Sequence, residues 1–142
     1  MDVYSKDSMY HIFFQVVRLH FVHMHSSLEK AGVHPGQPPI LFCLIHKDGQ
    51  SQKELADKIK VKPATMTVTL NRMEKNNLIY RKPDEKDQRT TRVHITEKGK
   101  RICNEVKIIM EDLEKDCLKG FTEEEKISLC NLLHKIKDNL DT

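Results

Sequence analysis

The sequence predicts a mostly α-helical fold with one small β-hairpin, and three observations predict it. Apolar residues recur at three- and four-residue spacing in six separate segments, as they do on helices with one buried face. After Leu78 that period changes to two over a pair of short runs, the spacing of half-buried strands. Two capping boxes, Ser51-Gln52-Lys53-Glu54 and Thr122-Glu123-Glu124-Glu125, mark where helices begin.

The first helix is expected from about Tyr10 to Leu28, where Phe13, Val17, Phe21, Met24 and Leu28 form one apolar row. Ile12, Val16 and Leu19 add a second row, so this helix should meet two neighbours. Gly32, Pro35 and Gly36 break it, and a short helix follows from about Gln37 to His46, with Ile40, Leu41, Leu44 and Ile45. Lys47-Asp48-Gly49-Gln50 reads as a turn. Ser51 then opens a helix to Ile59, with Leu55, Ala56 and Ile59 on one face. Pro63 suits the first position of the next helix, where a missing N–H costs nothing. Met66, Leu70 and Met73 form its buried stripe, and it stops near Asn76-Asn77, Asn being the usual substitute for Gly in a left-handed helix end. Ile79-Tyr80-Arg81-Lys82 and Thr91-Arg92-Val93-His94-Ile95 read as strands joined by the charged segment Pro83 to Arg89. Two long helices close the chain. One begins after Thr96 with Ile102, Val106, Ile109, Leu113 and Cys117, and the other follows Thr122 with Ile127, Cys130, Leu133, Ile136 and Leu140.

Composition narrows the class. At 142 residues, 38% hydrophobic and 32% charged, the chain suits a single folded domain. Its longest strongly apolar run, Ile40 to Ile45, falls far short of the ~20 residues that cross a bilayer. Its first residues lack the basic-then-apolar plan of a signal peptide, and its four cysteines form no CxxC pair, so a reducing cytoplasm is the expected home with no membrane partner. The net charge of +3 hides an asymmetry. Lys47 to Arg101 holds 15 basic against 8 acidic residues, or +7, while the remainder holds 9 against 13, or −4. A basic middle between acidic ends suits a protein whose central lobe meets a polyanion.

The central order is helix, turn, helix, strand, charged loop, strand. Two helices joined by a turn as short as Lys60-Val61-Lys62 are a common DNA-binding device, with the second helix in the major groove. At 100° per residue, burying Met66, Leu70 and Met73 turns Ala64, Val68, Asn71 and Lys75 outward, flanked by Thr65, Thr67 and Arg72. Small, hydroxylic and amide residues suit groove reading: Asn can pair bidentately with adenine, and Thr or Val can touch a thymine methyl. Lys86 and Arg89 fall at or near the tip of the inter-strand loop, where Asp87 could hold the Arg89 guanidinium and an Arg could reach a narrow minor groove. A merely solvated charged turn has the same spacing.

The run Ala64-Thr65-Met66-Thr67 through Leu70-Asn71-Arg72-Met73-Glu74-Lys75-Asn76-Asn77-Leu78-Ile79 resembles the recognition helix and exit of the MarR (multiple antibiotic resistance regulator) family. Asp84-Glu85-Lys86-Asp87-Gln88-Arg89, then Val93-His94-Ile95-Thr96-Glu97-Lys98-Gly99, resembles that family's wing and the start of its next helix. Asn77 stands where the family usually has Gly, and Ile95 where it has Leu. The resemblance covers essentially the whole chain. It implies one domain over residues 1–142, with a winged helix-turn-helix lobe at 35–99 and dimerisation helices at 1–34 and 100–142. It also implies a sequence-specific regulator of transcription, a repressor released by a small-molecule effector, with Asp87 and Arg89 as the wing pair. The expected DNA-facing set is Ser51, Gln52, Lys62, Thr65, Thr67, Val68, Asn71, Arg72, Lys86, Asp87 and Arg89. A homodimer would read a pseudo-palindromic duplex. The terminal helices independently suggest that dimer, since they carry more apolar surface than one small lobe can cover.

Other readings are weaker. His20 and His23 share a side of the first helix, but a zinc site would need further ligands such as His46 or Cys43. Relatives that sense zinc typically use histidines on the helix after the wing, which here has none, so no metal or cofactor is expected. Cys43 lies in an apolar helix, and Cys103, Cys117 and Cys130 fall on or beside apolar stripes, so core packing is preferred to a redox switch. No phosphate-binding loop, nucleophile elbow or HExxH pair marks an enzyme. A winged helix used only to bind protein is the remaining rival, although it would not need Asn71, Arg72, Lys86 and Arg89 on one basic surface.

Overall fold

A computed structural model of the chain describes residues 2–141. Two compact units divide it, one running to Met110 and the other starting at Glu111.

In the first unit, α1 (Met9–Lys30) starts at Ser8, whose hydroxyl accepts from the His11 amide at 3.1 Å. It ends at Ala31 and Gly32, the latter with φ of 74°. Pro38 and Pro39 open α2 (Pro38–His46), which buries Ile40, Leu41 and Leu44. Ser51 caps α3 (Gln52–Ile59), which buries Leu55 and Ala56 and ends on Lys60 in the left-handed conformation. Pro63 opens α4 (Pro63–Lys75), which buries the expected Met66, Leu70 and Met73. The end of α4 follows the asparagine expectation: Asn77 has φ of 61°, and the Leu78 amide donates to the Met73 carbonyl at 2.9 Å.

The sheet has three antiparallel strands in the order β1 (Gln50–Ser51), β3 (Thr91–Ile95), β2 (Ile79–Pro83). The hairpin register pairs Ile79 with Ile95 and Arg81 with Val93. The first strand corrects the sequence reading, which assigned Gln50 to a turn. Gln50 pairs with Val93 and is 1% exposed. Its amide satisfies the end of α2, donating to the Cys43 and Lys47 carbonyls at 2.8 and 2.6 Å and accepting from Lys58 Nζ at 2.6 Å. The Ser51 capping box is corrected too. Ser51 Oγ accepts from the Glu54 amide at 3.1 Å, but the Glu54 carboxylate faces Arg92 at 3.4 Å.

Ile40, Leu41, Leu44, Leu55, Met66, Leu70, Met73, Ile79 and Val93 form the core beneath the sheet and helices. A second cluster joins Leu28 and Val33 to Val106 of α5 (Glu97–Cys117). The first turn of α5 lies so close to the Leu78 carbonyl that a Cβ on Gly99 would sit 2.2 Å from its oxygen. Earlier on α1, Phe13, Val17 and Phe21 are exposed, as are Ile12, Val16 and Leu19.

The second unit holds the end of α5 and α6 (Glu123–Leu140), separated by Gly120 at φ of 85°. Its capping box is complete, with Thr122 Oγ1 accepting from the Glu125 amide at 3.1 Å and Glu125 accepting from the Thr122 amide at 3.0 Å. The α6 stripe of Ile127, Leu133, Ile136 and Leu140 is exposed. Cys117 and Cys130 are exposed as well, against the expectation of core packing, whereas Cys103 is buried and its thiol is pushed up by burial. No helix among the described residues is long and apolar enough to cross a membrane.

Candidate nucleic-acid interface

The face of α4 opposite its buried stripe carries the residues that helical projection turns outward. Ala64, Thr65, Thr67, Val68, Asn71, Arg72 and Lys75 are all exposed, Val68 at 61%. This helix is fixed from both ends. Before it, the left-handed Lys60 makes the turn so tight that the Val61 amide returns to the Ala56 carbonyl at 3.1 Å. Lys62, exposed, occupies the N-cap position of α4. The Thr67 hydroxyl donates to the Pro63 carbonyl at 3.0 Å, which leaves its lone pairs and methyl for an outside partner. Ser51 spends its hydroxyl on the cap of α3 and is buried, so of the two residues expected there only Gln52 retains partial exposure.

Arg81 of β2 binds these parts together. Its side chain is 19% exposed. Both its amide and its Nε donate to Glu74 Oε2, at 3.1 and 3.3 Å, and one terminal nitrogen reaches Glu74 Oε1 at 3.4 Å. That same nitrogen donates to Asn71 Oδ1 at 2.6 Å, and the other donates to Gln52 Oε1 at 3.4 Å. The guanidinium holds the Glu74 carboxyl below the usual carboxylate range.

The loop between β2 and β3 is ordered by two aspartates. Asp84 accepts from the Lys86 and Asp87 amides at 3.1 and 3.0 Å and from Arg92 Nε at 2.9 Å. Chiefly through Arg92, this set holds the Asp84 carboxyl below its usual range, and Asp84 in turn raises Arg92. Arg92 also reaches the Gly49 carbonyl and Glu54, each at 3.4 Å, so the hairpin is braced against the start of α3. Asp87 accepts from both the amide and Nε of Arg89, at 3.1 and 3.2 Å, the pairing expected from their spacing. The Arg89 side chain is 93% exposed, so it is aimed without being covered. A further tie runs from Asp48, whose carboxylate takes the Ile95 amide at 2.8 Å and lies 3.2 Å from His94 Nδ1.

Arg81, Arg92, Asp84 and Glu54 were not singled out from sequence. The one available signal was the placement of single cations in otherwise half-buried strands, where an unpaired charge would be costly. Their partners lie up to 43 residues away and leave no local pattern.

A sequence model of the MarR family matches residues 34–91, which span α2 through the wing loop. The HTH-type transcriptional regulator YybA of Bacillus subtilis (strain 168) is 31% identical over 106 residues, covering 75% of this chain and 71% of that protein. The HTH-type transcriptional repressor MdtR of the same organism is 30% identical over 119 residues, covering 84% of this chain and 77% of its own. Among solved structures, a MarR transcriptional regulator from Methanosarcina mazei Go1 superposes with a TM-score of 0.79 at 25% identity, covering 90% of this chain and 95% of that one. With the helix-turn-helix, the braced hairpin and these relatives in agreement, the chain belongs to the MarR family of HTH-type transcriptional regulators.

Proposed function

We propose that the chain is a homodimeric repressor that reads a pseudo-palindromic duplex and is released by a small, largely apolar effector. The observation that carries the reading is the exposed face of α4. Its Thr65, Thr67, Val68, Asn71 and Arg72 are groups that meet base edges and phosphates, where a purely solvated helix would favour Glu and Lys. Gln52 and Lys62 flank that face, and Ser51 serves it through the α3 cap. The wing supplies Lys86 and Arg89, with Asp87 orienting the latter toward a minor groove.

The dimer is supported by the apolar faces of α1 and α6, exposed from Ile12 to Val22 and from Ile127 to Leu140. Residues 1–34 and 100–142 would supply that interface and residues 35–99 the reading lobe. Two reading helices related by a two-fold axis fit half-sites about 34–36 Å apart. An effector is supported by a cavity of about 490 Å³ whose lining includes Phe21, Met24, Leu28, Phe42 and Met110, with His20 and His25 as its polar groups. A ligand there would act by binding one spacing of the reading helices better than another. Repression is supported by the relative MdtR, which bears that name.

The test is titration against duplex DNA from the gene's own upstream region at two salt concentrations, with a scrambled duplex as control. Preferential binding that weakens steeply with salt is expected. Absence of binding to either duplex at low salt would overturn the reading in favour of a protein-interaction module.

A further inference from the structure

We infer that Arg81 is a positioning residue for base selection: it commits Asn71 to act as a hydrogen-bond donor, so that the base facing Asn71 is guanine or thymine and not adenine. The inference rests on the proposed DNA-reading role of α4.

The two ends of an asparagine amide differ only in what they can bond. A guanidinium has five donors and no acceptor. The amide atom 2.6 Å from the Arg81 terminal nitrogen must therefore be oxygen, and the chemistry fixes the orientation of the group. Bidentate adenine recognition needs both ends, the oxygen for N6–H and the nitrogen for N7. Here the oxygen already accepts a short, charge-assisted bond, and a second donor from adenine would have to approach it beside a cation. What remains for the groove is the Asn71 NH2, which suits guanine O6 and N7 or thymine O4; at adenine it could still meet N7, but the neighbouring N6–H2 donor would then face a carbonyl oxygen already taken by Arg81 and lose its partner. Arg81 treats Gln52 in the same way, taking its Oε1 at 3.4 Å. With Lys62 and Arg72 also exposed, the reading surface is dominated by donors.

Arg81 does not wander from this role. Glu74 holds its amide, its Nε and one terminal nitrogen, and the side chain is four-fifths buried against the strand and helices. An Arg on the strand thus sets the chemistry of a residue on the helix ten positions earlier, without touching DNA itself.

The experiment is selection from a duplex library with a randomised core by the full chain, compared with Asn71→Ala and Arg81→Met, each checked for folding by circular dichroism. The position whose preference disappears in Asn71→Ala is the one that Asn71 reads. In the unmodified chain it should be guanine or thymine, favoured over adenine by about fivefold or more. In Arg81→Met the freed amide should gain adenine at that position while preferences elsewhere stay, an effect that general destabilisation would not produce. Adenine at that position in the unmodified chain would overturn the inference, as would a folded Arg81→Met with unchanged preference. If Arg81→Met does not fold, the unmodified chain and Asn71→Ala still decide the base. Enrichment at other positions with adenine opposite Asn71 refutes this inference alone. No enrichment at all, with no salt-sensitive binding, refutes the DNA-reading role as well.

Discussion

Replacing Gly99 by alanine tests how closely α5 is docked against the wing. Gly99 is not needed for a left-handed backbone, so its role is steric. An alanine Cβ would lie 2.2 Å from the Leu78 carbonyl oxygen and 2.7 Å from Ile95 Cγ1, where ordinary contact begins at 3.4 Å. Neither neighbour can give way cheaply. The Leu78 oxygen accepts from the Thr96 amide at 3.1 Å, and Thr96 Oγ1 in turn takes the Gly99 amide at 2.9 Å and donates to the Asn77 carbonyl at 2.6 Å. Overpacking of this kind costs about 1–3 kcal/mol. Loosening the Thr96 bond adds about 1 kcal/mol, and the better helix propensity of alanine returns about 1 kcal/mol. A net loss of roughly 1–3 kcal/mol lowers the melting temperature by about 3–10 °C in a chain of this size. Thermal unfolding by circular dichroism, at one fixed protein concentration because a dimer's Tm depends on it, measures the change. A shift under about 2 °C would refute the reasoning and show that the first turn of α5 has slack.

Four further outcomes are expected. Arg89→Ala should weaken DNA binding and reduce the slope of log affinity against log salt by about 0.9 for each Arg89 lost, hence about 2 per dimer; an unchanged slope would remove Arg89 from the interface. Gln50→Leu should cost about 1–3 kcal/mol, because it orphans the Lys47 carbonyl and takes one of two donors from the Cys43 carbonyl, which keeps the Lys47 amide, and urea unfolding should show a lower midpoint at constant slope. The Asp84 and Glu74 carboxyls titrate below their unfolded values, so their contribution is present above about pH 4.5 and is lost as pH falls through the lowered folded values. Melts from pH 6 to 2.5 should therefore show a smaller acid loss in Arg92→Met, and parallel curves would contradict the Asp84–Arg92 assignment. Phe14→Asp, on the exposed face of α1, should yield monomers in light scattering, and an intact dimer would relocate the interface.

The elements that sequence revealed are those whose signal is longer than their length scale. A stripe such as Met66, Leu70 and Met73 repeats often enough to define a helix and, by subtraction, its outward face. The two-residue β1 cannot show a period, and its assignment depends on Val93 and Arg92, more than 40 positions later. The site divides in the same way. Asp87 and Arg89 are two apart, so their pairing was readable. Arg81 meets Gln52 across 29 residues, and Arg92 meets Gly49 across 43, contacts that exist only after the sheet has formed. The exposed cysteines are a related case. Cys117 and Cys130 sit beside apolar stripes as read, but a stripe shows only that a surface is apolar and not which body covers it.

The two aspartates of the wing bear on the entropy of binding. Seven residues separate β2 from β3. Ordering a free loop costs roughly 1–2 kcal/mol per residue for the backbone alone, enough to consume most of a micromolar affinity of about 8 kcal/mol. Asp84 and Asp87 take up the Lys86, Asp87 and Arg89 amides, and the Asp84 amide is itself bonded to the Thr90 carbonyl at 2.8 Å. That cost is therefore met during folding. What docking still has to freeze is chiefly the Arg89 side chain, at about 0.5–1.5 kcal/mol. A hairpin tip that looks like a mobile, highly charged turn is thus a nearly rigid probe, and in the proposed complex its binding free energy would remain available for selecting DNA shape.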